Sequence, residues 1–210
     1  MAKKLIKVIS IIILIFIISV FPSYADDENE LEEIVIEENE KEEIEAAANS
    51  NAKPTINSRR YVIFDRLSGR CIYGKDENKQ TAMASTTKIM SIIIVVENCN
   101  LSDTVTITAK AAGTGGSKLG LHTDDKITVM DLLYGLMLRS GNDAAVALAI
   151  HTAGSVEKFA DLMNQKAEEL GLTNTHFVTP HGLDNPNHYT TAYELAKITD
   201  YALKNETIAK

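Results

Sequence analysis

Cysteine is scarce in this chain of 210 residues. Cys71 and Cys99 are the only two, and two cysteines make no disulfide framework; free, buried thiols are the expected state. Beyond the first seven residues there is no cluster of lysine and arginine. Phosphate binding needs such clusters, so nucleic acid is excluded as a partner. No internal repeat is visible. The longest nearly apolar run, Val8 to Phe21, is 14 residues, short of the ~20 that span a bilayer.

What is present falls into three blocks. Lys3, Lys4 and Lys7 make a basic start, the apolar run follows, and Ser23-Tyr24-Ala25 supplies small residues two apart. That order reads as a secretory signal over 1–25, cleaved after Ala25, so the protein is expected to work outside the cytoplasm. The competing reading, an uncleaved anchor, is disfavoured by length. Asp26 to Glu45 then carries twelve Asp or Glu against one Lys, a net −11. Charges this dense repel one another, and the stretch 26–57 reads as a solvated, disordered tether rather than a site for cations or a basic partner. The remainder is close to neutral. With 45% hydrophobic and 24% charged residues, the composition fits one globular domain, expected over 58–210, plus these attachments.

Tyr61 to Phe64 and Arg70 to Tyr73, β-rich runs around a Ser-Gly turn, predict a hairpin followed by a polar loop over 74–80. Ser85 to Asn98 reads as a buried helix, apolar nearly all round, though its β-branched run could pass for a strand. Thr104 to Thr108 alternates like a short strand, and 112–120 is a glycine-rich loop. Thr128 with Asp131, and Thr191 with Glu194, resemble capping boxes. Helices are expected from the first box through Leu138, over 142–152, from Ser155 to a stop at Gly171, and from Thr191 onward. The order is two strands and then a long helical block. A two-stranded hairpin is marginal alone, so the sheet is expected to be incomplete.

Ser-x-x-Lys occurs three times: Ser50/Lys53 in the tether, Ser85/Lys88 and Ser155/Lys158. Helix capping by Ser155 explains the third. The second is different. Three residues apart on a helix, Ser85 and Lys88 share a face, so the amine can reach the hydroxyl. A helix N-terminus and an apolar surround both favour the neutral amine, the form that can act as a base. A solvated lysine at a surface helix start is the bland alternative, and it fits poorly with a helix this apolar. Ser140-Gly141-Asn142, the one Ser-x-Asn, lies at a break between two helices. There Ser140 can relay a proton and Asn142 can bond a substrate amide; the alternative is that either simply caps the next helix.

Together the two motifs resemble those of the penicillin-binding protein and β-lactamase superfamily. Met83-Ala-Ser85-Thr-Thr-Lys88-Ile-Met90, Leu138-Arg-Ser140-Gly-Asn142-Asp-Ala-Ala145 and Thr179-Pro-His-Gly-Leu-Asp184 are similar to phrases of the low-molecular-weight D-alanyl-D-alanine carboxypeptidases, serine peptidase family S11. The resemblance covers roughly residues 60–210. It implies an α+β or α/β fold of the β-lactamase/transpeptidase type, a helical block packed on an antiparallel sheet. It also implies Ser85 as nucleophile, Lys88 as general base, Ser140 as proton relay, Asn142 as a substrate contact and the Ser85 backbone N–H as an oxyanion donor. The implied substrate is a peptidoglycan stem peptide ending in D-Ala-D-Ala, with β-lactams as inhibitors and no metal or organic cofactor.

One departure stands out: no Lys-Thr-Gly, the family's third motif, occurs, and Thr114-Gly115 is preceded by Gly113. The family's C-terminal β-domain and membrane-associating helix are missing too, so a C-terminally truncated chain with little turnover is the expectation. A β-lactamase would need a second base in a loop, whereas Glu168 and Glu169 fall at helical positions. A penicillin-binding remnant without catalysis is the other alternative. His176, His181 and His188 share a loop but match no common zinc spacing.

Overall fold

The structure, a computed structural model, describes residues 55–210. The expected signal segment, the acidic segment up to residue 54 and the Ser50/Lys53 pair lie outside them.

The predicted hairpin forms. Strand β1 (Tyr61–Asp65) pairs antiparallel with β2 (Arg70–Lys75), from Tyr61 opposite Lys75 to Asp65 opposite Arg70. The Asp65 carboxylate closes the turn, accepting from the backbone N–H groups of Leu67 at 3.0 Å and Ser68 at 3.3 Å. Such local side-chain bonds are why Asp starts turns. The outer positions of β2 have no covering layer among the described residues. Cys71 is therefore exposed, and Cys99 is half-buried with its sulfur 3.2 Å from Thr152 Oγ1. The expectation of buried thiols is corrected; that of free thiols holds.

A single 3₁₀ turn, Ala84–Thr87, leads into α1 (Lys88–Asn98), the central helix. Met90 and the run from Ser91 to Val95 are all buried, mostly against the helices Asn142–Ala153, Val156–Glu169 and Ala192–Ala202. Burial on every side makes the β-branched run helical despite its weak intrinsic propensity. Strand β3 (Thr104–Thr106) stops short of the predicted Thr108. That residue instead caps α2 (Ala109–Ala112), its hydroxyl accepting from Ala111 N–H at 3.2 Å. β3 pairs with a second unpredicted element, β4 (Lys126–Thr128). The chain is thus not two strands followed only by helices: a second small sheet interrupts the helical block.

All three predicted caps exist. Thr128 accepts from Asp131 N–H at 3.1 Å and opens α3 (Val129–Leu138). Ser155 accepts from Lys158 N–H at 3.1 Å and opens α5 (Val156–Glu169), so capping does account for the third Ser-x-x-Lys. Between them α4 (Asn142–Ala153) is alanine-rich because it is buried from Asn142 through Ala149, where small side chains permit close helix packing. Thr191 opens α6 (Ala192–Ala202), accepting from Glu194 N–H at 3.0 Å, and α7 (Glu206–Ala209) follows. Neither box is reciprocal: the Asp131 carboxylate accepts from the Thr128 hydroxyl at 2.6 Å rather than from its backbone. The buried Glu194 carboxylate turns away to accept from the backbone of Thr173 at 3.1 Å and Asn174 at 3.0 Å. It ties the long irregular segment 173–190 to α6.

Candidate active site

The 3₁₀ turn sets the geometry. Ala84 adopts a left-handed backbone, φ +45°, a conformation that costs a non-glycine residue about 1 kcal/mol or more and clusters at functional sites. The following turn places Ser85, which is exposed, one turn ahead of Lys88, which is 2% exposed. The Lys88 amine lies 3.1 Å from Ser85 Oγ, 2.9 Å from Asn142 Oδ1 and 3.1 Å from the His181 carbonyl oxygen.

The partners dictate which way its protons point. A carbonyl oxygen only accepts. The Asn142 amide is oriented by its nitrogen, which donates to the Gly115 carbonyl at 2.9 Å, so its oxygen faces the lysine and also only accepts. A neutral amine has two N–H groups, and these two oxygens use both. Its lone pair is left towards Ser85. Burial pushes the Lys88 amine down from 10.5 to about 8, which brings the neutral form within reach of ordinary pH.

Ser140 and Asn142 flank the break between α3 and α4. Ser140 is also left-handed, φ +53°, and its buried hydroxyl has no hydrogen-bond partner. The structure does not bond it to Lys88. Asn142 is 4% exposed; one amide N–H remains after its bond to Gly115, and its backbone N–H donates to Ser117 at 2.8 Å. A Cβ on Gly116 would lie 2.5 Å from the Asn142 nitrogen, so the glycine lets loop 113–121 approach this amide.

Asp143 anchors that loop. Fully buried, its carboxylate accepts from the N–H groups of Leu119 at 3.0 Å, Gly120 at 2.9 Å, Leu121 at 3.1 Å and Ala144 at 2.9 Å. Burial pushes its carboxyl up, but those backbone bonds outweigh burial and hold it below the ordinary range. Its stabilisation is complete above about pH 4 and is lost as acid titrates the group. Asp143→Asn, which sets an amide against these donors, should cost about 2–4 kcal/mol in thermal unfolding at pH 7. An unchanged melting temperature would refute this anchoring.

The histidines take separate partners. His176 Nδ1 donates to the Asn187 carbonyl at 2.6 Å, and His181 Nδ1 accepts from Leu183 N–H at 3.2 Å. His188 meets Thr87 Oγ1 at 2.7 Å. No cluster of three metal-ligating side chains occurs among the described residues.

The profile of the D-alanyl-D-alanine carboxypeptidases, peptidase S11, matches residues 47–210. The chain belongs to this family. DacF of Bacillus subtilis, a D-alanyl-D-alanine carboxypeptidase, is 41% identical over 71% of the chain, and DacC of Escherichia coli is 38% identical over 72%. The chain spans about 40% of the length of these relatives. Its fold matches the D-alanyl-D-alanine carboxypeptidase of Mycobacterium tuberculosis, with TM-score 0.72 and 33% identity, over 77% of this chain and 62% of the other. A DD-transpeptidase of Streptomyces K15 gives TM-score 0.70 and 39% identity, over 74% and 64%. The expected fold class is thereby established.

In this S11 chain the phrase Thr179 to Asp184 acquires a physical role that sequence reasoning missed. Ser91 donates to the Pro180 carbonyl at 2.6 Å, and Lys88 to that of His181. Gly182, at φ +85°, sits so close that a Cβ there would lie 1.8 Å from the Ala84 carbonyl oxygen. The whole segment is laid across the turn bearing Ser85. One signal was available. Thr87, Lys88 and Ser91 form a polar stripe on an otherwise apolar helix, and buried polar groups must have partners.

Proposed function

We propose that the chain carries the acylating half of a serine D-alanyl-D-alanine carboxypeptidase site, with Ser85 as nucleophile. The observation that carries this reading is the Lys88 amine, buried 3.1 Å from Ser85 Oγ with its other two partners both acceptors. Ser85 Oγ attacks the carbonyl between the two terminal D-alanines of a stem peptide as its proton passes to Lys88. The C–N bond breaks, the departing amine takes that proton by way of Ser140, and D-alanine leaves an acyl-enzyme that water hydrolyses. The unpartnered Ser140 hydroxyl supports this path, since a buried hydroxyl without a bond is costly unless a ligand supplies one. The remaining Asn142 N–H serves the substrate amide, and the Ser85 backbone N–H is one oxyanion donor. β-Lactams acylate the same oxygen. The basic, apolar and small-residue order at the N-terminus supports export, which brings the site to peptidoglycan at the cell wall or the outer face of the cytoplasmic membrane.

The test is labelling by a fluorescent penicillin. The chain should become labelled and Ser85→Ala should not; equal labelling of both would end the proposal. The labelling rate should climb about tenfold per pH unit up to about pH 8 and then level off, because only the neutral Lys88 amine accepts the proton. A rate flat between pH 5 and pH 9 would contradict that role. A second reading is penicillin binding without turnover. It expects labelling of residues 26–210 without D-alanine release, and normal release would exclude it.

A further inference from the structure

His188 belongs to neither serine motif, yet it joins both sides of the site. Its ring is 3% exposed. Nδ1 accepts from the backbone N–H of Val178 at 2.9 Å, with a longer approach from Thr179 at 3.4 Å. The other nitrogen must then carry the proton, so Nε2–H donates to Thr87 Oγ1 at 2.7 Å. Phe177 packs edge-on against the ring at 5.8 Å. Thr87, itself 1% exposed, lies between Ser85 and Lys88, and its hydroxyl would be 2.6 Å from a Cβ on Gly182. The Nδ1 bond stays within the segment, and the Nε2–H bond is the one that ties the segment to the turn from which nucleophile and base project.

We propose that His188 is a positioning residue for the Ser85–Lys88 pair, holding the segment that carries the His181 carbonyl against Thr87 and so keeping the lysine amine buried. The proposal rests on the roles given to Ser85 and Lys88 above. The other titratable groups set around the ring are His176 and His181 from the same segment; no carboxylate is bonded to it. Burial holds the His188 ring at about 4, so it is neutral when the site works. If the segment lifts away, water reaches Lys88 and the burial that depresses its basicity is lost.

Two substitutions separate the two bonds. The Gln side chain places an N–H near Nε2 and keeps the bond to Thr87, whereas Asn reaches only as far as Nδ1 and gives it up. Lys88 would be titrated by NMR through its ¹³C-labelled ε-methylene in the full chain and in each variant, with penicillin labelling rates measured in parallel. His188→Asn should raise the Lys88 midpoint by one pH unit or more and slow labelling at pH 7 at least tenfold. His188→Gln should stay within threefold of the unaltered chain. Equal loss in both variants, or an unmoved Lys88 midpoint in the Asn variant, overturns the inference. If nothing becomes labelled, including the unaltered chain, while the midpoint still moves in the Asn variant alone, the positioning role stands and the acylation reading fails.

Discussion

Lys88→Met should slow penicillin acylation of Ser85 about a thousandfold while leaving the fold intact. Methionine keeps an unbranched stem of similar length but offers no lone pair to a proton. The expected change in stability is small because two effects oppose each other. Burial that lowers the amine from 10.5 to about 8 corresponds to about 3 kcal/mol against the ammonium form at neutral pH, and this cost is relieved. Against it, Asn142 Oδ1 and the His181 carbonyl lose their donor, at about 1–3 kcal/mol each. The net change should lie between about 1 kcal/mol of stabilisation and about 3 kcal/mol of destabilisation. Labelling kinetics and thermal unfolding on one preparation decide the matter. A folded variant labelled at more than about one tenth of the normal rate would remove Lys88 from the chemistry.

Gly182→Ala should be the most damaging one-carbon change near the site. The left-handed backbone, φ +85°, costs alanine about 1–2 kcal/mol. The larger problem is the Ala84 carbonyl oxygen, 1.8 Å from where the Cβ would stand, because backbone cannot rotate away as a side chain can. Overpacking of this kind adds about 1–3 kcal/mol. Near 3 kcal/mol in total, the melting temperature should drop by about 6–12 °C. Labelling should be lost with it, since relief moves either the turn bearing Ser85 or the segment bearing the His181 carbonyl. Gly69→Ala is the control: it shares a left-handed backbone, φ +68°, but nothing lies within 4 Å of its Cβ position. It should cost about 1 kcal/mol and leave labelling unchanged. Equal melting shifts in the two variants would show that backbone conformation alone, not the contact with Ala84, governs Gly182.

The helices were legible because their signals are local. Thr128, Ser155 and Thr191 cap the helices that follow them, each through an N–H only three residues away. The hairpin was legible for the same reason, an Asp-to-Gly turn between two β-rich runs. Strand β3 showed in the alternation over 104–108, whereas β4 has three residues, too few to show a period of two, and is a strand only because β3 lies beside it. The exposure of Cys71 was equally hidden: a thiol in an apolar-looking strand is buried only if a second layer covers it.

The site divides along the same line. Chain order alone determined that Ser85 and Lys88 lie together, because three residues in any tight helical turn share a face, and it determined the apolar helix into which the amine is drawn. Tertiary structure alone decided how that amine is directed. Asn142 lies 54 positions away and the His181 carbonyl 93, and backbone carbonyls carry no mark in a sequence of which one will be chosen. Hydrogen-bond partners and burial depend on the space between segments, so the lysine's direction and basicity exist only once α1, α4 and segment 178–188 have packed.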